Sequence, residues 1–221
     1  MMRALLDLSA VAGPYPSGPT RGAWRDWMAF QAGKTGQRVR RWMGQPRSRP
    51  HGRVLGNAVS CILELFDEPT CIETGCIRKA EEGTASTLAI AEALGGRGRF
   101  YTFELSQQHM ETCQEVCKGW EDQINYIQGD AKQNLRRLRG TGVLAEIHLA
   151  FFDSADDPAQ TLAEFEAVEA LFVPGSLVIV DDAVRGVKGR LIKPLLHASP
   201  LWSTRVVHAG NGMLLATRRA E

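Results

Sequence analysis

Residues 71–87, with the sequence CIETGCIRKAEEGTAST, are the most informative segment of the chain. A short strand-like run ends in Glu73, and Gly75 and Gly83 follow before small residues that favour the start of a helix. Glycine lets a ligand approach the backbone closely, and the first turn of a helix offers unpaired N–H groups. A strand, a glycine loop and a helix in this order predict a site for a nucleotide-like cofactor.

The rest of the chain repeats this alternation of strands and helices. We expect the strands at residues 70–73, 99–104, 124–128, 146–152, 176–180, 204–208 and 213–217. Asn57 is predicted to cap a first helix that runs to Phe66, and a later helix is expected to run from Pro158 to Phe172. Pro174-Gly175 is expected to form the turn before the fifth strand. Gly210-Asn211-Gly212 predicts a hairpin between the last two strands.

Apolar strands separated by helices are typical of a mainly parallel sheet that is covered on both faces. The predicted fold is therefore α/β: a Rossmann-like, doubly wound, mainly parallel seven-stranded sheet with an antiparallel C-terminal strand. A basic N-terminal arm precedes it. We place the arm at residues 1–53 and the cofactor-binding domain at residues 54–221.

Acidic side chains recur where the predicted parallel strands end. They are Glu73, Glu104, Asp130, Asp153 and the pair Asp181-Asp182. In such sheets ligands bind beyond the carboxyl ends of the strands, so these acids are expected to line one polar site.

Two of these acids predict an adenosine site. Glu104 follows the first glycine strand by about thirty residues, where a carboxylate can accept hydrogen bonds from both hydroxyls of a ribose. Asp130 lies beside the small Ala131 and is placed to accept a hydrogen bond from an adenine amine. The alternative interpretation of Glu104 is a solvated residue at a strand end.

In these motifs the chain resembles the class I S-adenosylmethionine-dependent methyltransferases, over residues 57–221. The family's glycine motif corresponds to Glu73-Thr74-Gly75 with Gly83, its ribose acid to Glu104, and its adenine-side motif to Gly129-Asp130-Ala131. The resemblance implies S-adenosylmethionine as cofactor. The implied cofactor-binding residues are Glu73, Thr74, Gly75, Gly83, Ser86, Thr87, Glu104, Gly129, Asp130, Ala131 and Asp153.

Two longer stretches are similar to the small-molecule O-methyltransferase branch, which includes catechol-type and antibiotic-tailoring enzymes. They are FFDSADDP at residues 151–158 and VPGSLVIVDDAVRGVKG at residues 173–189. Metal-dependent members imply a Mg²⁺ site at Asp153, Asp181 and Asp182, and oxygen ligands suit that ion. An alternative is that Asp153 only contacts the cofactor. Asp153 and Asp156 are the implied catalytic residues, although relatives often carry a histidine or lysine at the position of Asp156.

Charge is divided unevenly along the chain. Residues 1–53 hold ten Lys and Arg against two Asp and Glu, whereas the remainder holds sixteen against twenty-three. A basic, tryptophan-containing arm could bind an anionic partner or pack on its own acidic domain. We expect it to act as a lid over the substrate or as the contact of a homodimer.

Composition excludes some classes of protein. No apolar run is long enough to span a bilayer, and no secretion signal is recognised at the start. Five cysteines, an odd number, suit reduced thiols in the cytoplasm better than a disulfide framework. We expect a cytoplasmic enzyme with a small-molecule acceptor and no nucleic-acid partner. The alternatives are a nucleic-acid or protein methyltransferase, a nicotinamide-dependent oxidoreductase, and a binding module without catalytic activity.

Overall fold

A computed structural model describes residues 50–78 and 86–220. Seven strands follow one another along the chain: β1 (Thr70–Thr74), β2 (Arg99–Glu104), β3 (Ile124–Gln128), β4 (Ile147–Phe152), β5 (Phe172–Val180), β6 (Trp202–Val207) and β7 (Met213–Arg218). The helices of the described residues are α1 (Pro50–Leu65), α2 (Ser86–Leu94), α3 (Gln107–Val116), α4 (Ala131–Gly140), α5 (Pro158–Val168) and α6 (Gly189–Ala198).

All seven strands form one sheet in the order β3-β2-β1-β4-β5-β7-β6. Strands β1 to β5 are parallel, and β7 runs antiparallel to both of its neighbours. The order reverses between β1 and β4, which is the point where doubly wound sheets bind their ligands. The predicted fold class and the hairpin between β6 and β7 are confirmed.

The sheet separates two hydrophobic cores. Helices α1, α2 and α3 cover one face, where Ile62, Ile90 and Cys113 are fully buried. Helices α4, α5 and α6 cover the other face, around Phe165 and Trp202. Burial of the sheet on both faces explains why its central strands are nearly continuous apolar runs.

Three predicted boundaries are wrong. Helix α1 begins at Pro50, two turns before Asn57, and proline suits a first helical turn because its missing N–H has no partner there. Helix α5 ends at Val168 and a short 3-10 turn follows it. Pro174-Gly175 does not precede β5 but lies inside it. The pairing of β4 with β5 shifts register at this part of the strand, and such an irregularity tolerates proline.

Some expectations fall on residues 1–49 and 79–85, which lie outside the described residues. They include the predictions for residues 1–49 of the arm and for Gly83 of the glycine loop. No helix within residues 50–78 and 86–220 is long and apolar enough to cross a membrane.

Candidate active site

A cavity of about 490 Å³ opens at the carboxyl ends of β1 to β4. Its lining comes from the ends of these strands, from the loops that follow them and from the helices α3, α4 and α5. The lining residues are Gly75, Arg78, Phe103, Glu104, Leu105, Ser106, His109, Gly129, Asp130, Ala131, Ser154, Ala155, Asp157, Gln160 and Glu164. Five residues that the sequence assigns to the cofactor therefore line one cavity: Gly75, Glu104, Gly129, Asp130 and Ala131.

Gly75 lies where the loops after β1 and β4 come into close contact. Its φ is +82°, and a Cβ added there would lie 2.4 Å from the carbonyl oxygen of Asp153. Its N–H donates to the carbonyl of Phe103 over 2.8 Å, which extends the pairing of β1 with β2. The backbones after β1 and β4 thus approach each other as only glycine permits.

Glu104 ends β2 and is 8% exposed. Its carboxylate accepts hydrogen bonds from the N–H groups of Cys76, over 3.3 Å, and Ser106, over 2.9 Å. His109 Nδ1 lies 3.6 Å from the same carboxylate. The backbone around β1 and α3 therefore fixes the carboxylate at the cavity wall.

Asp130 occupies the start of α4. Its carboxylate accepts a hydrogen bond from the N–H of Gln133 over 2.9 Å and so caps the helix. The preceding Gly129 has φ +118° and donates its N–H to the carbonyl of Glu104 over 2.9 Å. The ends of β2 and β3 are joined by this bond, which brings Glu104 and Asp130 to the same cavity.

Glu73 lies in the core rather than at the cavity. It is fully buried and accepts hydrogen bonds from the hydroxyls of Thr87, over 2.6 Å, and Thr102, over 2.8 Å. Burial raises the pKa of Glu73 to about 8. Ser86 also interacts with this carboxylate. Glu73, Ser86 and Thr87 thus fasten α2 to the sheet and do not line the cavity, because Glu73 shares the inward face of β1 with Cys71.

Thr74 supports the opposite wall of the cavity. Its hydroxyl donates to Glu164 over 2.8 Å, and Ser154 and Gln160 donate to the other oxygen of the same carboxylate. The Glu164 side chain faces the cavity from α5 with its oxygens already occupied. Thr74 is fully buried and positions this wall without lining it.

Three carboxylates meet beside the cavity, next to the contact of Gly75 with Asp153. Oxygen atoms of Asp153, Asp181 and Asp182 lie within 4.8 Å of one another. Burial and the charge of Asp153 raise the pKa of Asp181 to about 6. His51 Nε2 of α1 lies 3.5 Å from Asp181. The three acids that the resemblance to metal-dependent enzymes placed together therefore do lie together.

The ammonium group of Lys188 lies among these carboxylates. The Lys188 ammonium donates to Asp153 in a short hydrogen bond and lies 3.6 Å from Asp156 and 3.9 Å from Asp182. The Lys188 side chain is 3% exposed. A divalent ion could bind all three carboxylates only after this buried ammonium had left, so the residues present do not fit Mg²⁺.

Two site residues were missed by the sequence analysis. Arg78 donates to the carbonyl of Ser154 over 2.6 Å and joins the loop after β1 to the loop after β4. Lys188 comes from the loop after β5, thirty-five residues from its partner Asp153. No motif spacing marks either residue. Only the pattern of strand ends could have suggested that their loops meet.

Among known proteins, a family model described as a methyltransferase domain matches residues 82–183. This span runs from the glycine loop through β5, so it includes most of the described cavity wall. No protein of curated function matches the chain closely enough to count as a relative.

Solved structures share the fold over almost the whole chain. Cofactor-bound Rv0187 from MTB is 20% identical, with both chains covered completely and a TM-score of 0.65. An O-methyltransferase from Bacillus cereus, solved in complex with SAH, is 21% identical over 92% of this chain and 94% of its own, with a TM-score of 0.65. The O-methyltransferase TomG from Streptomyces achromogenes, involved in tomaymycin synthesis and solved with SAM, is 19% identical. That match covers 92% of this chain and all of TomG, with a TM-score of 0.63.

The sheet order and the cavity at its carboxyl edge define a Rossmann-like fold, and residues 82–183 match the model of a methyltransferase domain. Over almost its whole length the chain is similar in fold to bacterial O-methyltransferases.

Proposed function

We propose that this protein transfers a methyl group from S-adenosylmethionine to an oxygen atom of a small molecule. The observation that carries the proposal is the one cavity that Glu104, Asp130 and Gly75 line together. A nucleoside needs two acceptors for its ribose hydroxyls and a separate acceptor for an adenine amine, and the ends of adjacent strands supply both. The O-methyltransferases from Bacillus cereus and Streptomyces achromogenes, which share the fold, support the choice of oxygen as the acceptor atom.

The residues present fit this methyl donor. Glu104 would bind the ribose hydroxyls, and Asp130 and Ala131 would contact the edge of the adenine. The backbone at Gly75 would contact the methionine part of the donor. Arg78 lines the same cavity beside Ser154 and would face the carboxylate of the donor's methionine part. The donor supplies an activated methyl group, so the protein has to bind, align and deprotonate rather than create an electrophile.

The acceptor site is proposed beside Asp153, where the backbone of this residue contacts Gly75. Asp156 is the better placed of the two candidate bases because its side chain is 79% exposed and lies 3.6 Å from the Lys188 ammonium, whereas Asp153 accepts a hydrogen bond from that ammonium. The acidic surroundings favour a small neutral or cationic acceptor over a nucleic acid. We propose a cytoplasmic location because none of the five cysteines forms a disulfide among the described residues.

The experiment is to incubate the purified protein with S-adenosylmethionine carrying a deuterated methyl group and a panel of phenols, catechols and hydroxy acids. Mass spectrometry should detect a labelled methyl ether or ester, and the Glu104→Ala protein should give none. Labelling of RNA, DNA or protein instead of the small molecules would contradict the proposed acceptor class. Saturable binding of NAD without binding of the methyl donor would contradict the reaction.

A further inference from the structure

Three carboxylates lie close together at the ends of β4 and β5. Asp153, Asp181 and Asp182 bring oxygen atoms within 4.8 Å of one another, and Asp181 is 7% exposed. Like charges at such distances repel strongly where little water screens them. A divalent ion commonly balances such a cluster, but here the chain provides its own cation.

Lys188 is placed to be that cation. It is among the most buried charged residues of the described chain, at 2% exposure. Lysine is almost never buried to this degree unless it is paired. Its ammonium bonds to Asp153 and lies within 4 Å of oxygens of Asp156 and Asp182. Burial alone would lower the pKa of Lys188. The neighbouring carboxylates have the larger opposite effect, so the pKa of Lys188 is raised.

The loop that carries Lys188 is joined to the turn between β6 and β7. The N–H groups of Ala183 and Arg185 donate to Gly212 and Asn211 of the β6–β7 hairpin, each over 2.8 Å. Gly189 packs so closely on Ala183 that an added Cβ would lie 2.3 Å from its carbonyl oxygen. The lysine therefore reaches the cluster from a fixed backbone.

We propose that the Lys188 ammonium replaces a divalent metal ion in this chain, so that the carboxylate cluster binds no Mg²⁺ while Lys188 is present. Lys188 is a positioning residue: it acts through Asp153 and Asp182, which it orients beside the cavity. The location of this cluster at the methyl-acceptor end rests on the proposed function. The acceptor then needs only one hydroxyl or carboxylate, because no metal requires a chelating pair of oxygens.

The test uses Mn²⁺ as a paramagnetic probe for the Mg²⁺ site, with the free ion measured by electron paramagnetic resonance. The wild-type chain should show no saturable site. Lys188→Met, which keeps the length of the side chain without its charge, should gain one site per chain. Lys188→Arg keeps the charge and should gain none. Lys193→Met, a less buried lysine of α6, is the matched control and should resemble the wild type.

Two results would overturn the proposal. The first is saturable Mn²⁺ binding by the wild type that Asp182→Asn removes. The second is a folded Lys188→Met protein, checked by circular dichroism, that binds no ion. If Lys188→Met does not fold, Lys188→Gln replaces it, because its amide still donates to Asp153. The measurement needs neither methyl donor nor acceptor, so its failure is separate from failure of the proposed reaction, which the deuterated-methyl assay detects.

Discussion

The carboxylate of Glu104 accepts a hydrogen bond from the N–H of Cys76 over 3.3 Å and so ties the end of β2 to the loop after β1. The same carboxylate accepts from Ser106 at the start of α3. Three segments therefore hold one acceptor group at the cavity wall before any ligand arrives. A group fixed in this way loses little entropy when it binds, which favours affinity.

Replacing Glu104 by glutamine should weaken S-adenosylmethionine binding by about tenfold to a hundredfold, because the charged acceptor that we propose for the ribose hydroxyls is lost. Calorimetric titration measures the effect. Glu115→Gln is the matched control, since Glu115 is an exposed acid on the following helix and should leave the affinity unchanged. If Glu104→Gln and the wild type bind S-adenosylmethionine with equal affinity, Glu104 does not contact the cofactor.

Gly75→Ala should destabilise the protein and abolish cofactor binding. The new Cβ would clash with the Asp153 carbonyl, and the positive φ adds strain of about 1–2 kcal/mol. Gly96→Ala is the control: Gly96 has φ +87°, but nothing lies within 4 Å of an added Cβ. Urea unfolding should show the larger loss at Gly75. Equal losses at the two glycines would mean that the backbone contact with Asp153 is not tight.

Asp130 caps α4, and we propose that it also accepts a hydrogen bond from the adenine amine; substitutions can separate the two. Asp130→Asn should keep the cap of α4, because asparagine is a good capping residue, whereas Asp130→Ala should lose about 1 kcal/mol of stability. Both substitutions should alter cofactor affinity if the carboxylate accepts the adenine amine. Thermal unfolding and calorimetry give the two quantities. If Asp130→Asn loses as much stability as Asp130→Ala, the carboxylate of Asp130 does not stabilise the protein by capping α4.

Stability should fall as pH rises from about 4.5 to about 8. Burial raises the pKa of Glu73 from 4.5 to about 8, so the folded protein holds a proton that the unfolded chain has released over this range. The folded state binds more protons there, and linkage then lowers its stability as pH increases, by on the order of 5 kcal/mol for a shift of this size.

The variant that tests this is Glu73→Gln, which removes the titrating group while keeping an acceptor for Thr87 and Thr102. Urea unfolding from pH 5 to pH 8 should give a clearly flatter profile for the variant than for the wild type. The two proteins should differ most at pH 8, with the variant more stable. A wild-type profile that is flat or rises over this range would mean that Glu73 is not protonated in the fold.

The sheet and its acidic edge could be predicted because both follow from local patterns. Apolar runs between helices fix the parallel strands, and the carboxyl ends of such strands share one edge. Glu104 and Asp130 follow from that rule. The start of α1 was misplaced because Asn57 resembles a cap, whereas Pro50 begins the helix. Pro174-Gly175 resembles a turn, and only its strand partner shows that it lies inside β5.

The side-chain partners could not be predicted, because they join segments that are distant in sequence. Glu73 was expected at the cofactor, but strand alternation places it inward with Cys71, and Thr102 of a neighbouring strand completes its bonds. Lys188 has no motif of its own. Its role depends on how the loop after β5 folds against the β6–β7 hairpin, and no residue pattern in the sequence reports that contact.

The most direct measurement is a pair of calorimetric titrations of the wild-type chain, one with S-adenosylmethionine and one with NAD, each in the presence of EDTA. We expect saturable binding of one S-adenosylmethionine per chain without added metal, and no binding of NAD. Saturable NAD binding with no S-adenosylmethionine binding would contradict the assignment of the Glu104 and Asp130 cavity to a methyl donor.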